Sequence, residues 1–383
     1  MFFAVVFMSA LLLAAVLVLL VDAVPAALRW YERIGIGCFA DEGEWRRAVI
    51  RTAERQLKKT PAVPVSANTR LTVIDRLKGS YKSQNLQHWQ KAALLLGLSS
   101  LGGEFKKAAD SGTDLKAAVK RQDFKNSVDF VILGYAALSA PTADSQKLRP
   151  MMDKIYAYLA GSAKDGTVPY NHNLPDIRFV DTVGMICPFL YKYAAEYSCP
   201  DAEALAKRQT DEYFERGMHG EVFLPVHCFD RRGGAPLGIY GWGRGCGWLA
   251  LGLAESLKWA PHSDKEHLLE LSKGYAGALL KFQSRDGSWC RQMTACDIGE
   301  TSATAMIGYF LSSLYNICKD EQYKKPALAA RAALMSRTRR NGKIDYAQGD
   351  TQGIGFYSPR LDSLPAAQGF ALLLDSSIRE WPC

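Results

Sequence analysis

Apolar residues follow two patterns along this chain. The first is an unbroken run: Met1 to Val21 carries no charged side chain, about the length that crosses a bilayer as a helix. The second, from about Gly43 onward, is the recurrence of amphipathic helices, with few alternating strand runs. It predicts helices near 44–59, 88–101, 104–120, 126–139, 147–162, 180–197, 201–216, 245–259, 264–283, 300–318, 322–337 and 363–378. Pro61 and Pro64 mark a loop between the first two. Pro25 to Gly43 reads as a connector, so the expected layout is 1–24 hydrophobic segment, 25–43 connector and 44–383 helical body.

A repeat organises the helices. Asp165-Gly166-Thr-Val168, His219-Gly220-Glu-Val222, Asp286-Gly287-Ser-Trp289 and Asn341-Gly342-Lys-Ile344 share a turn residue, a glycine, one variable position and a large apolar residue. The glycines lie 54, 67 and 55 residues apart, each after the second helix of a pair. Glycine there can take the left-handed conformation that stops a helix. The apolar residue then re-enters the core. Helical pairs at this period build an open solenoid or a closed ring. Twelve helices make six pairs, and polar capping repeats are missing, so the expected fold is all-α, an (α/α)6 toroid preceded by a hydrophobic helix.

The uncharged start has no Lys or Arg before its apolar run, unlike most signal peptides. A single membrane anchor is therefore expected, with export the alternative if the segment is cut near Ala23. Arg29 and Arg33 follow the span, which leans toward a cytoplasmic body. The net charge of +8 is spread without a basic block, so no nucleic-acid partner is expected. Nine scattered cysteines in a chain this long form no disulfide framework. No Cys-x-x-Cys pair or close histidine spacing suggests a metal, and no cofactor is indicated.

In a ring, the turns from outer to inner helices gather at one mouth. Unusual polar and aromatic residues cluster at those turns: Asn126 and Asp129; Tyr170, His172, Asp176 and Asp181; His227, Asp230, Tyr240, Trp242, Arg244 and Trp248; Trp289, Arg291, Glu300 and Thr301. Convergence from separate repeats is what a pocket needs. Asp181 and Asp129 each sit among apolar residues at a helix start. Either is a helix cap or a carboxyl whose pKa burial raises until it can donate a proton. In Trp242-Gly-Arg244-Gly-Cys246-Gly-Trp248, two tryptophans flank an arginine. The stretch is a tight packing loop, or a sugar-acid site with rings to stack and a fork for a carboxylate. His227 alone reads as structural or functional.

These residues, in order, resemble the unsaturated glucuronyl and rhamnogalacturonyl hydrolases of glycosyl hydrolase families 88 and 105. The resemblance covers roughly 120–375: Val180 to Leu190, Val226-His227-Cys-Phe-Asp230, Trp242 to Trp248, Asp286-Gly-Ser-Trp289 and Glu300 to Met306. It implies removal of a 4,5-unsaturated uronic acid from the non-reducing end of lyase-generated oligosaccharides, rhamnogalacturonan fragments being favoured. The implied chemistry is hydration of the enol-ether double bond, unlike displacement at the anomeric carbon. The resemblance puts Asp181 on the acid/base position and Asp129 on a second acidic position. It puts His227, Tyr240, Trp242, Arg244 and Trp248 against substrate. Gly243 and Cys246 replace the usual Ala and Asn, and a lost Asn amide would alter substrate choice. Two other readings are a non-catalytic sugar-binding barrel and a terpene-cyclase-like α/α barrel. The second has one Gln…Gly-x-Trp copy, at Gln283 to Trp289, and lacks the Asp-x-Asp-Asp acid.

Overall fold

The computed structural model describes residues 2–61, 73, 87–102, 127–141, 143–351, 353–379 and 381. Twelve helices are described. They are α1 (Phe2–Arg33), α2 (Glu42–Lys58), α3 (Gln87–Ser99), α4 (Val131–Leu138), α5 (Ser145–Ser162), α6 (Val180–Tyr197), α7 (Pro200–Arg216), α8 (Gly243–Trp259), α9 (His262–Leu280), α10 (Thr301–Cys318), α11 (Glu321–Ser336) and α12 (Pro365–Ile378). The helix expected at 104–120, Asn126 and the stretch around Pro64 lie outside the described residues.

Composition separates inner from outer helices. Every residue from Val180 to Ala194 in α6, and from Gly243 to Leu257 in α8, is buried. A helix apolar all round needs neighbours all round. In contrast α7 buries a stripe: Ala202, Ala206, Gln209, Thr210, Glu212 and Tyr213. Accordingly α3, α4, α6, α8, α10 and α12 pack side by side, and α12 returns to α3, closing the ring. The helices α2, α5, α7, α9 and α11 lie outside it. The expected toroid is present.

Three short strands cover part of the mouth: β1 (Ile177–Phe179), β2 (Val226–Asp230) and β3 (Pro236–Tyr240), antiparallel in that order. A second pair, β4 (Ala347–Gln348) and β5 (Leu361–Asp362), stands before α12.

Two expectations need correction. The first concerns the repeated glycines. Gly166, Gly287 and Gly342 are left-handed, with φ of 88°, 85° and 83°, but they follow the helix ends by several residues. They form tight turns: Lys164 and Thr167 bond each other across Asp165-Gly166, both at positive φ, the hairpin geometry of an Asp-Gly pair. Gly220 is not left-handed at all; Phe223 takes that conformation in its repeat. Val168, Trp289 and Ile344 do re-enter the core, each buried completely. The second correction concerns the connector. α1 continues through Pro25 to Arg33, so the first part of 25–43 is helical. Its last turns are pinned to the barrel. Arg33 Nε donates to Asp345 Oδ2 at 2.6 Å, Arg29 lies 3.7 Å from Asp362, and Glu32 pairs with Arg339 and Lys343.

Candidate active site

The turns at the mouth enclose a cavity of about 300 Å³, within the size range of small-ligand sites. Among the expected site residues, Asp129, Asp181, His227, Trp242, Arg244 and Trp248 all line it. Tyr240 is not among its lining residues; its ring meets His219 edge-on at 4.9 Å. Asp176 and Asp230 pair with Lys164 and Arg232 instead. Glu300 caps α10, accepting from the Ser302 and Ala303 amides. Trp289 is buried, donating to the Leu279 carbonyl.

Asp181 occupies the first turn of α6 but does not cap it. The cap position is Phe179, which offers no side-chain bond. Asp181 Oδ2 is buried without a hydrogen-bond partner. Burial, opposed by the nearby Arg244 charge, pushes the carboxyl up to about 7. Asp129 does not cap α4 either. Its segment is held by the Val128 amide, which donates to the Tyr170 carbonyl at 3.1 Å. That register lets the Tyr170 hydroxyl donate to Asp129 Oδ1. Burial raises the Asp129 pKa, with the tyrosine bond opposing.

His227 is aimed by a bulge in the β2–β3 pairing, where the register shifts between Val226 and Cys228. Its Nε2 lies 3.8 Å from Asp181 Oδ2, and its Nδ1 is 3.0 Å from the Tyr357 hydroxyl. That hydroxyl also accepts the Ile239 amide at 3.0 Å, so one tyrosine anchors both β3 and the Nδ1 side of the imidazole, with Nε2 facing Asp181. Burial and the Arg244 charge lower the His227 pKa to about 4, so the ring is neutral at neutral pH. Gly238, at φ +80°, makes this contact possible: a Cβ there would stand 2.6 Å from the Tyr357 hydroxyl.

The Gly-rich stretch starts α8. Trp242 Nε1 donates to Gln348 Oε1 at 2.9 Å. Arg244 departs from the free fork expected of it. Nη1 donates to the Gln348 carbonyl and Nη2 to the Gly349 carbonyl, the latter at 2.7 Å. The guanidinium therefore holds the segment leading into 349–360 while lending its charge to the cavity. Gly243 is explained by packing: a Cβ would meet the Cys290 carbonyl at 2.3 Å. Cys290 begins a loop closed by a disulfide to Cys296. Cys246 is buried in the core, away from the cavity lining, and its thiol is pushed up to about 12 by burial. Replacing an amide there does not alter the cavity wall.

Sequence reasoning missed Trp89 and Asp350, both cavity-lining, and Tyr357. Trp89 comes from α3, outside the stretch 120–375 that carries the resemblance. Asp350 lies in the glycine-rich Gly349 to Gly355 run between the last outer and inner helices. That is the mouth position in its pair, so the rule applied to the other turns would have found it. Burial pushes Asp350 up to about 6, with Arg244 opposing and Asp129 adding to the rise.

A closed ring of six inner helices with paired buried carboxyls and tryptophans at one mouth defines the class: an (α/α)6 carbohydrate-active enzyme. The chain belongs to glycosyl hydrolase family 88, whose model matches residues 104–375. No curated protein sequence matches it. Solved structures share the fold. A possible family 105 member from Klebsiella pneumoniae is similar at 17% identity and a TM-score of 0.71, covering 89% of this chain and 94% of that one. The unsaturated glucuronyl hydrolase of a Bacillus species, described as degrading glycosaminoglycan, is similar at 16% identity and a TM-score of 0.65, covering 88% and 95%. A family 88 protein from Bacteroides vulgatus is similar at 18% and 0.56, covering 81% and 97%.

Proposed function

We propose that this enzyme hydrates the double bond of a 4,5-unsaturated uronic acid at the non-reducing end of an oligosaccharide. The observation that carries the reading is Asp181: a buried carboxyl with one unpartnered oxygen, held near neutral pKa beside a neutral histidine. A group poised there donates and takes back a proton at neutral pH. Protonated Asp181 gives its proton to C4. A water oxygen bonds to C5, and a proton from that water returns to the Asp181 carboxylate. The hemiketal at C5 opens by breaking its bond to the ring oxygen, and the exposed hemiacetal at C1 releases the second sugar. One water is consumed. His227 Nε2 orients the incoming oxygen, while Asp129, bridged to Tyr170, binds sugar hydroxyls and disfavours charge on Asp181.

The cavity wall supports a neutral second sugar, as in rhamnogalacturonan fragments. Among the described lining residues, Asp129, Asp181 and Asp350 face one space and Arg244 is the one cation. A sulfated second sugar would meet like charge there. With unsaturated disaccharides followed by ultraviolet absorbance, the rhamnose-linked substrate is expected to turn over with higher kcat/KM than sulfated hexosamine-linked ones. In Asp350→Asn the ratio should narrow. A preference for sulfated substrates in the parent enzyme would overturn this specificity.

We also infer a membrane-anchored enzyme. α1 is the described helix long and apolar enough to cross a bilayer, and its apolar surface is exposed.

A further inference from the structure

α1 joins the barrel at the mouth end. The inner helices α6, α8 and α10 begin at the cavity, and the β4–β5 pair leads into α12 at the same end. Arg33 of α1 bonds Asp345 and the Leu361 carbonyl, and Arg29 pairs with Asp362. Asp345 lies just before β4, and Leu361 and Asp362 form β5. The loop between those strands supplies Asp350, Thr351, Gly353 and Ile354 to the cavity. The helix that would enter the membrane is thus fixed to the base of a cavity wall.

No polar spacer separates the two. Between Phe2 and Leu28 the only charged residue is Asp22. At 1.5 Å per residue these 27 residues extend about 40 Å, against about 30 Å of hydrocarbon. The surplus carries apolar helix surface through the headgroup layer to the first contact with the barrel. Trp30 and Tyr31, both 70% exposed, stand at that contact, where aromatic residues favour the membrane interface.

The barrel presents apolar groups at the same end. Beyond α1 and the adjoining Ile34, the large apolar side chains exposed among the described residues are Leu174, Ile317, Ile354 and Phe356. Leu174 and Ile354 line the cavity, and Phe356 lies in the same loop as Ile354. Ile317 is in the last turn of α10, at the opposite end. Water-facing rims have no use for such a concentration, whereas an interface beside an inserted helix does.

We propose that the rim formed by Leu174, Ile354 and Phe356 docks on the phospholipid bilayer that α1 enters, so that the cavity opens toward the membrane surface. This rests on the anchored reading of α1 and is independent of the reaction. The enzyme then receives saccharide ends presented along that surface.

The test uses the full chain in nanodiscs of phosphatidylcholine and phosphatidylglycerol. A benzophenone-bearing phenylalanine analogue is placed singly at positions 12, 317 and 356, and lipid adducts are counted by mass spectrometry after irradiation. Leu12, Ile317 and Phe356 are all exposed, so the substitutions leave the core intact. The proposal expects adducts at 12, and several-fold more at 356 than at 317. Adducts at 12 with no excess at 356 over 317 would overturn the docking while leaving the anchor standing. Adducts at neither 12 nor 356 would remove anchor and docking together. Adduct formation reads no turnover, so a failed hydrolase reading would not mimic either result.

Discussion

Asp181→Asn should lower kcat by about 10³-fold, the usual contribution of a positioned general acid, while the protein stays folded and still binds the saccharide. Asparagine matches the shape of the side chain but carries no transferable proton. The side chain makes no capping bond that its replacement would break. A matching signature is expected in pH. The proposed reaction needs the protonated carboxyl, pushed up to about 7, so kcat/KM in the parent enzyme should fall as pH rises through that value. His227 contributes no rise there, because it loses its proton at about 4. Stability carries the same sign. The folded state keeps a proton on Asp181 that the unfolded chain gives up near the ordinary carboxyl value of 3.8. This group's contribution is therefore full below about 4, declines as pH rises, and levels off above about 7. Asp181→Asn removes that decline, so the variant should gain stability relative to the parent at pH 8 compared with pH 4. Thermal unfolding at the two pH values, beside the kinetics, checks both. A kcat loss without the stability gain would point to damage elsewhere in the mouth.

The second large effect is on ring closure. α12 and α3 approach so closely that a Cβ on Gly369 would stand 2.1 Å from the Ala93 carbonyl oxygen, and one on Gly97 would stand 2.1 Å from the Gly369 oxygen. Backbone meets backbone here, so no side-chain rotation makes room. Gly369→Val must push the last inner helix off the first. Overpacking of a core costs about 3 kcal/mol, and more where backbone has to move. The urea midpoint should fall accordingly. Activity should fall with it, because α3 carries Trp89 in the cavity wall. Gly277→Ala is the contrasting case. It lies inside α9 with open space around its Cβ position, and alanine there should add about 0.5–1 kcal/mol. If Gly369→Val were as stable as the parent, the ring would not be closed by this crossing.

Much of the fold was legible because a toroid writes itself into periodicity. Inner helices such as α6 and α8 are apolar on all sides, outer ones such as α7 on a single stripe, and the two alternate. The mouth was legible because its residues recur at the same place in each pair. What escaped was set by tertiary contact. The choice between cap and acid at Asp181 turned on whether an oxygen had a partner, which no local pattern records. Arg244 looked free for a carboxylate, yet carbonyls from more than 100 residues downstream occupy two of its donors. Tyr357 reaches His227 only because Gly238, 119 residues earlier, leaves the space. Gly166, Gly287 and Gly342 serve tight turns instead of caps, since each helix has already ended.

Addition of water across a double bond leaves a label that one measurement reads directly. The purified chain is incubated in deuterium oxide with an unsaturated rhamnogalacturonan disaccharide, and the product is examined by nuclear magnetic resonance while ultraviolet absorbance is followed. Hydration predicts that the absorbance disappears as the second sugar is released, with one solvent deuteron bonded at C4 of the former uronate. Release of the second sugar with the double bond intact and no deuterium at C4 would contradict it, and would assign ordinary displacement at the anomeric carbon.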